Sequence, residues 1–311
     1  MWLASTVAAW AGTLTVQSPT NNAFLGQSNR LRFQIAQAAV EVTVNVRVTG
    51  TGGTFTFEER FSPNADGEVD GGIDLNFGES TPEGQYTITV TATEPDNTYP
   101  TRQIPVTIDV VRPQFLELYP LQNQFYRSNV RVVGRIRETN VKQWEVLVNN
   151  QPFPGNTGTG NTIDATWNAS TLTQDGQQSI SVRVTDLANN VTSRTINIVV
   201  DRVAPVVTIA YPRTDSRILP GTTIPVLVDI TDFSNSSVDV TGITVRLFRM
   251  DGSLLGTVAR VSVVNQGGNG LRWTGRIRPS MGMPRQFRLR VECIDKAGNR
   301  ATNQEVTVRV G

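Results

Sequence analysis

Carboxylate pairs are the first residues to test for chemistry, because two Asp or Glu side chains flanking one bond suffice for glycoside hydrolysis. The dense groups are Glu58-Glu59 and the trio Asp66, Glu68 and Asp70. Glu58 and Glu59 are adjacent, so on a strand they point to opposite faces and cannot share a substrate. The stretch Phe61-Ser-Pro-Asn-Ala-Asp-Gly67-Glu-Val-Asp70 alternates oxygen-bearing side chains, and Asn64, Asp66, Glu68 and Asp70 are the residues a calcium ion would draw on. Its glycine stands fourth rather than sixth and no bidentate Glu closes the loop. A polar turn held by Asx hydrogen bonds is therefore the reading these residues favour.

What is missing bounds the rest. The chain has no histidine, which removes Ser-His-Asp and Cys-His nucleophile pairs and His-ligated zinc or iron. Its single cysteine, Cys293, forbids an intrachain disulfide and continues the inward phase of Phe287, Leu289 and Val291, as a core residue does. No catalytic residue and no cofactor is expected, and the chain reads as non-enzymatic. Asp186, Asp201 and Asp295 fall near the ends of repeating units, where either a bridging calcium ion or the backbone of their own turns takes them up.

Charge is distributed unevenly. Residues 1–112 carry a net charge of −6, residues 113–203 of +1 and residues 204–311 of +6, and only Lys142 and Lys296 are lysines. Arg288 and Arg290 share the outward face of one strand, and Arg276 and Arg278 share a face of another. The four are expected to form one patch that suits an acidic protein, anionic lipid headgroups or the acidic first unit of a neighbouring copy. Nucleic acid is not expected, because aromatic interleaving and a binding motif are lacking. Trp144, Trp167 and Trp273 are expected to plug cores; the alternative for Trp167, within Thr166-Trp-Asn168, is a platform for sugars.

These residues must be positioned by strands. An opening phrase recurs three times, from Leu14, Leu116 and Val207, each a short alternating strand stopped by Pro19, Pro120 or Pro212. A closing phrase recurs with inward positions Tyr86/Ile88/Val90, Ile180/Val182/Val184 and Phe287/Leu289/Val291, the period of a strand with one buried face. Further strand-like runs lie between, so each unit offers about seven short strands. No window holds the helical i, i+3, i+4, i+7 pattern, and no stretch of about 18 apolar residues would span a bilayer. The fold expected is all-β, three tandem immunoglobulin-like sandwiches over residues 13–112, 113–203 and 204–311. Proline-bearing linkers Val110–Pro113 and Val200–Pro205 limit their swing.

The second and third closing hairpins carry Asp186-Leu-Ala-Asn-Asn190 and Asp295-Lys-Ala-Gly-Asn299, and the second runs into Val200-Asp-Arg-Val-Ala-Pro205. In these the chain resembles the bacterial Ig-like modules, with fibronectin type III character, whose final hairpin bears a D-x-A-G-N turn and whose exit strand enters a V-D-x-x-x-P linker. Phe61–Gly67 is similar to the F-x-P-N-x-D-G opening of some secreted modules of that kind. The first unit departs, with Glu94-Pro-Asp-Asn97 at the turn and Val111-Arg-Pro113 at the linker. Such modules serve as spacers, adhesins and accessory domains.

Residues 1–12 form an apolar segment whose Ala-Trp-Ala resembles a signal-peptidase site but which lacks a basic leader. It reads as the remnant of a longer signal or as a strand that needs a neighbour to cover it. The expected function is a structural or adhesive protein of the bacterial surface, periplasm or extracellular space, a semi-rigid spacer that binds protein partners or itself. The alternatives are an accessory subunit docking on a membrane or enzyme complex through the Arg-rich third unit, and a carbohydrate-binding accessory module.

Overall fold

The computed structural model describes residues 12–232 and 238–311. The apolar segment singled out at the N-terminus therefore lies outside the described residues, except for Gly12. The described chain is all-β, with a short 3-10 turn at Ala169–Thr171.

Alternation builds the cores. Phe287, Leu289 and Val291 are fully buried while the arginines between them face out, and the triplets around Ile88 and Val182 behave likewise. Each buried side chain of this size contributes roughly 1.5–3 kcal/mol. The buried apolar side chains gather into three clusters, from Leu14 to Val110, from Leu118 to Val200 and from Val207 to Val308. Each cluster lies between two sheets. In the first unit Thr13–Ser18, Ser28–Ala36 and Glu68–Asn76 form one sheet, and Ala23–Leu25, Arg102–Ile108, Gly84–Glu94, Val42–Gly50 and Gly53–Phe61 follow one another in the other, with the short Asn97–Thr98 paired to Gly84–Glu94 off that path. The second unit repeats this order with Gln114–Tyr119, Val130–Arg137 and Thr162–Trp167 facing Phe125–Tyr126, Val191–Val200, Gly176–Asp186, Val141–Val148 and Thr157–Gly158.

The third unit departs by one strand. Its smaller sheet runs Val206–Tyr211, Ile224–Thr231, Gly270–Ile277 and then an added edge strand, Arg260–Gly267. Facing it, Ser216–Ile218, Gln304–Val310, Gln286–Glu292, Thr244–Phe248 and Leu254–Thr257 form the larger sheet.

The repeated proline marks the point where the opening strand changes sheets. Upstream it pairs antiparallel in the smaller sheet; downstream, Ala23–Leu25, Phe125–Tyr126 and Ser216–Ile218 pair parallel with the closing strand of the larger one. All three X-Pro bonds here, at Pro19, Pro120 and Pro212, are cis. Three residues beyond each proline stands a residue with positive φ, Asn22, Asn123 or Asp215, the short polar types that tolerate the left-handed region. Each donates its backbone N–H across to the larger sheet at 2.7 Å, to Pro105, Asn197 and Thr307 respectively.

Candidate functional site

The closing hairpins end in turns whose first Asp and last Asn are bonded twice. In the second unit the Asn190 backbone N–H donates to Asp186 Oδ1 at 2.8 Å and its Nδ2 donates to Asp186 Oδ2 at 2.9 Å. In the third unit Asn299 does the same with Asp295, at 2.8 and 2.7 Å. The two turns thus satisfy their own carboxylates, as local Asx bonding predicts.

Sequence reasoning missed that the same asparagines reach out of their units. Asn190 Nδ2 also donates to the Asp109 carbonyl at 2.8 Å, and Asn299 Nδ2 to the Asp201 and Val203 carbonyls at 2.9 and 3.2 Å. Each turn therefore grips the linker that precedes its own unit. The first junction is packed closely enough that a Cβ on Gly26 would sit 2.8 Å from the Ala188 carbonyl oxygen. At the second, Arg127 Nη1 donates to the Gly298 carbonyl at 2.9 Å and Lys296 Nζ lies 5.3 Å from the centre of the Phe125 ring.

Both junctions bury carboxylates. At the first, Asp109 receives Asn140 Nδ2 at 3.4 Å and faces Glu83, Asp186 and Glu138. Burial, then the hydrogen bond shared with Glu83, pushes the Asp109 carboxyl up to about 7. Glu138 turns back to accept from the backbone N–H groups of Thr139 and Asn140. At the second junction Asp201, Asp232 and Asp295 each bring a carboxylate oxygen within 4.8 Å of the others. Hard oxygen donors in such a group are the ligands calcium takes. Of the three Asp residues placed near unit ends by sequence, the structure brings Asp201 and Asp295 together and puts Asp186 at the other junction. Asp232 was missed, although it follows its strand just as Glu138 follows Val130–Arg137, and that equivalence was the available signal.

The remaining candidates separate. Asn64 Oδ1 accepts from the backbone N–H groups of Asp66 and Glu68 at 3.0 and 2.8 Å, making the loop an Asx turn, while Glu68 and Asp70 stand exposed on the strand that follows. Glu58 and Glu59 are both exposed on the edge strand Gly53–Phe61. Trp144, Trp167 and Trp273 are 5%, 6% and 2% exposed, so Trp167 plugs a core and offers no platform for a sugar ring. Cys293 is buried, with its thiol pushed up to about 12, chiefly by burial.

The four arginines do not form one patch. Arg276 lies on Gly270–Ile277 in the smaller sheet, with Arg278 just past the end of that strand, and Arg288 and Arg290 lie on Gln286–Glu292 in the larger, so the two pairs stand on different sheets of the sandwich. Outward facing was legible from alternation, but the sheet each strand joins was not. Arg288 and Arg290 both pair with Glu305, at 3.0 and 2.9 Å, and Arg290 stacks 4.7 Å above the Phe248 ring.

Residues 161–307, from the last smaller-sheet strand of the second unit through most of the third, match the family model described as bacterial Ig-like domain (group 3). Over that segment the resemblance read from the D-x-A-x-N turns holds. A search of curated proteins finds no match. Among solved structures, the chain is similar to fibronectin(III)-like modules of CbhA from Clostridium thermocellum, at 11% identity, 64% of this chain, 93% of that one and a TM-score of 0.38. It is similar also to the D1–D4 ectodomain fragment of ICAM-5 (13% identity, 96% and 77% covered, TM-score 0.37). A tetra-tandem repeat from the extending region of a large adhesion protein is a third (15% identity, 97% and 75% covered, TM-score 0.30).

Proposed function

We propose that this chain, matched over residues 161–307 by the bacterial Ig-like domain (group 3) model, is a non-catalytic scaffold of a bacterial surface or extracellular assembly. It acts as a semi-rigid spacer that holds protein-binding faces in set positions. The observation that carries this reading is the lock repeated at both junctions. Asn190 and Asn299 tie their own turns to the carbonyls of the preceding linker, and a swinging linker would lose those bonds. Each is worth roughly 0.5–1.5 kcal/mol net, and more where the acceptor stays buried without a partner.

Small-angle scattering on the wild type and on the Asn190→Ala/Asn299→Ala double variant tests it. The wild type is expected to fit one narrow set of inter-unit angles, and the double variant a broad one. Wild-type scattering that only freely jointed units can fit would overturn the reading.

A second reading, an accessory subunit that docks through the third unit, is favoured by that unit's arginine content. Charge reversal at Arg288 and Arg290 is then expected to abolish recovery of a larger complex in pull-down.

A further inference from the structure

The larger sheet of the third unit turns five arginines outward. Arg217 opposes Arg309, Arg309 opposes Gln286, and Arg246 opposes Arg290, with Arg288 two residues before Arg290 on the same strand. The buried positions between them, Ile218, Val245, Phe287, Leu289 and Val308, hold these side chains on the solvent face. Arg285 stands at the end of the sheet and, with Arg217, Arg309, Gln286 and Met250, lines an open cleft of about 650 Å³.

Three carboxylates answer these six guanidinium groups in ion pairs: Glu305 with Arg288 and Arg290, Glu292 with Arg246, and Asp215 with Arg309. Arg249 and Asp251 in the adjoining turn leave the balance unchanged. The face keeps a surplus of positive charge, concentrated at the cleft end. Alternation placed Arg288 beside Arg290 and suggested an acidic partner, but the full face was not legible in the sequence, because its arginines come from four strands.

The first unit offers the complement. Its two sheets end side by side in the edge strands Gly53–Phe61 and Glu68–Asn76. Exposed Glu58 and Glu59 lie on one, and Glu68, Asp70 and Asp74 on the other. Asp74 is paired with Arg30, but among the described residues Glu58, Glu59, Glu68 and Asp70 enter no ion pair. Acidic residues along an edge also keep it from pairing as an open strand.

We propose that the acidic edge of the first unit docks on the basic sheet face of the third unit of a second copy. The inference rests on the scaffold reading and names the partner. The two surfaces differ, so the contact is head-to-tail and propagates rather than closing in a pair. A guanidinium fork matches a carboxylate, and complementary fields speed encounter and fix orientation more than they add affinity. The association is therefore weak and sensitive to salt, because the Debye length shortens from about 10 Å at 0.1 M to about 3 Å at 1 M.

Sedimentation velocity on the full chain over a concentration series, at low and high salt, tests it. The wild type is expected to form concentration-dependent oligomers at low salt that dissociate at high salt. Arg217→Glu/Arg285→Glu and Glu58→Lys/Glu59→Lys each weaken self-association on the order of tenfold, with unchanged circular dichroism. Mixing the two variants restores it, because each then presents the charge the other lacks. A wild type monomeric at low salt, variants that assemble like the wild type, or a mixture that stays monomeric would overturn the proposal. Binding of a monomeric wild type to phosphatidylserine vesicles would overturn it too, in favour of a lipid surface. Scattering from the high-salt monomer reports the spacer geometry separately, so either reading can fail alone.

Discussion

The side-chain amide of Asn299 donates to the backbone carbonyl of Asp201 at 2.9 Å, joining residues 98 apart in sequence across a boundary between two sandwiches. The same amide also donates to one carboxylate oxygen of Asp295, so a single residue closes a turn and fastens a linker.

Asn299→Ala is expected to destabilise the second junction by about 1–3 kcal/mol, because it removes the side-chain donor to the Asp201 carbonyl and to Asp295 Oδ2 in a buried setting, while the backbone N–H of residue 299 still holds Asp295 Oδ1. Calorimetry should show the transition of the third unit moving down and separating from that of the second. Asn190→Ala should do the same at the first junction.

The first junction should respond to pH. A carboxyl whose folded value is raised keeps a proton that the unfolded chain releases. The contribution of Asp109 is therefore full below the ordinary carboxylate value of 3.8, fades as pH rises and is gone above about 7. Thermal unfolding between pH 4 and 8 should show Asp109→Asn losing less stability than the wild type, since the amide keeps a donor for Glu83 and never ionises beside Glu83, Asp186 and Glu138.

Trp273→Ala should cost about 3–5 kcal/mol, confined to the third unit. Gly275→Ala should also destabilise, by about 1–3 kcal/mol, because its new Cβ would meet the Trp273 ring at 2.6 Å. Chemical denaturation followed by circular dichroism checks both.

Cys293 should not react with a thiol reagent in the native protein at pH 8, since its thiol is buried and held protonated. Full labelling in denaturant, and none without it, is the expected outcome.

The sequence by itself determined the three cores. Alternation at Ile88, Val182 and Leu289 fixes which side chains face inward, because the two-residue period of a strand is a local property. It also determined where the opening strands stop, since proline lacks the N–H that a ladder needs, and it barred histidine chemistry outright. Tertiary structure alone decided which strands stand side by side. That is why Arg288 gathers with Arg217, Arg246 and Arg309 rather than with Arg276 and Arg278, and why Asp232 joins Asp201 and Asp295. Facing follows from neighbours along the chain, whereas a patch or a junction depends on pairings made across dozens of residues, which no local pattern encodes.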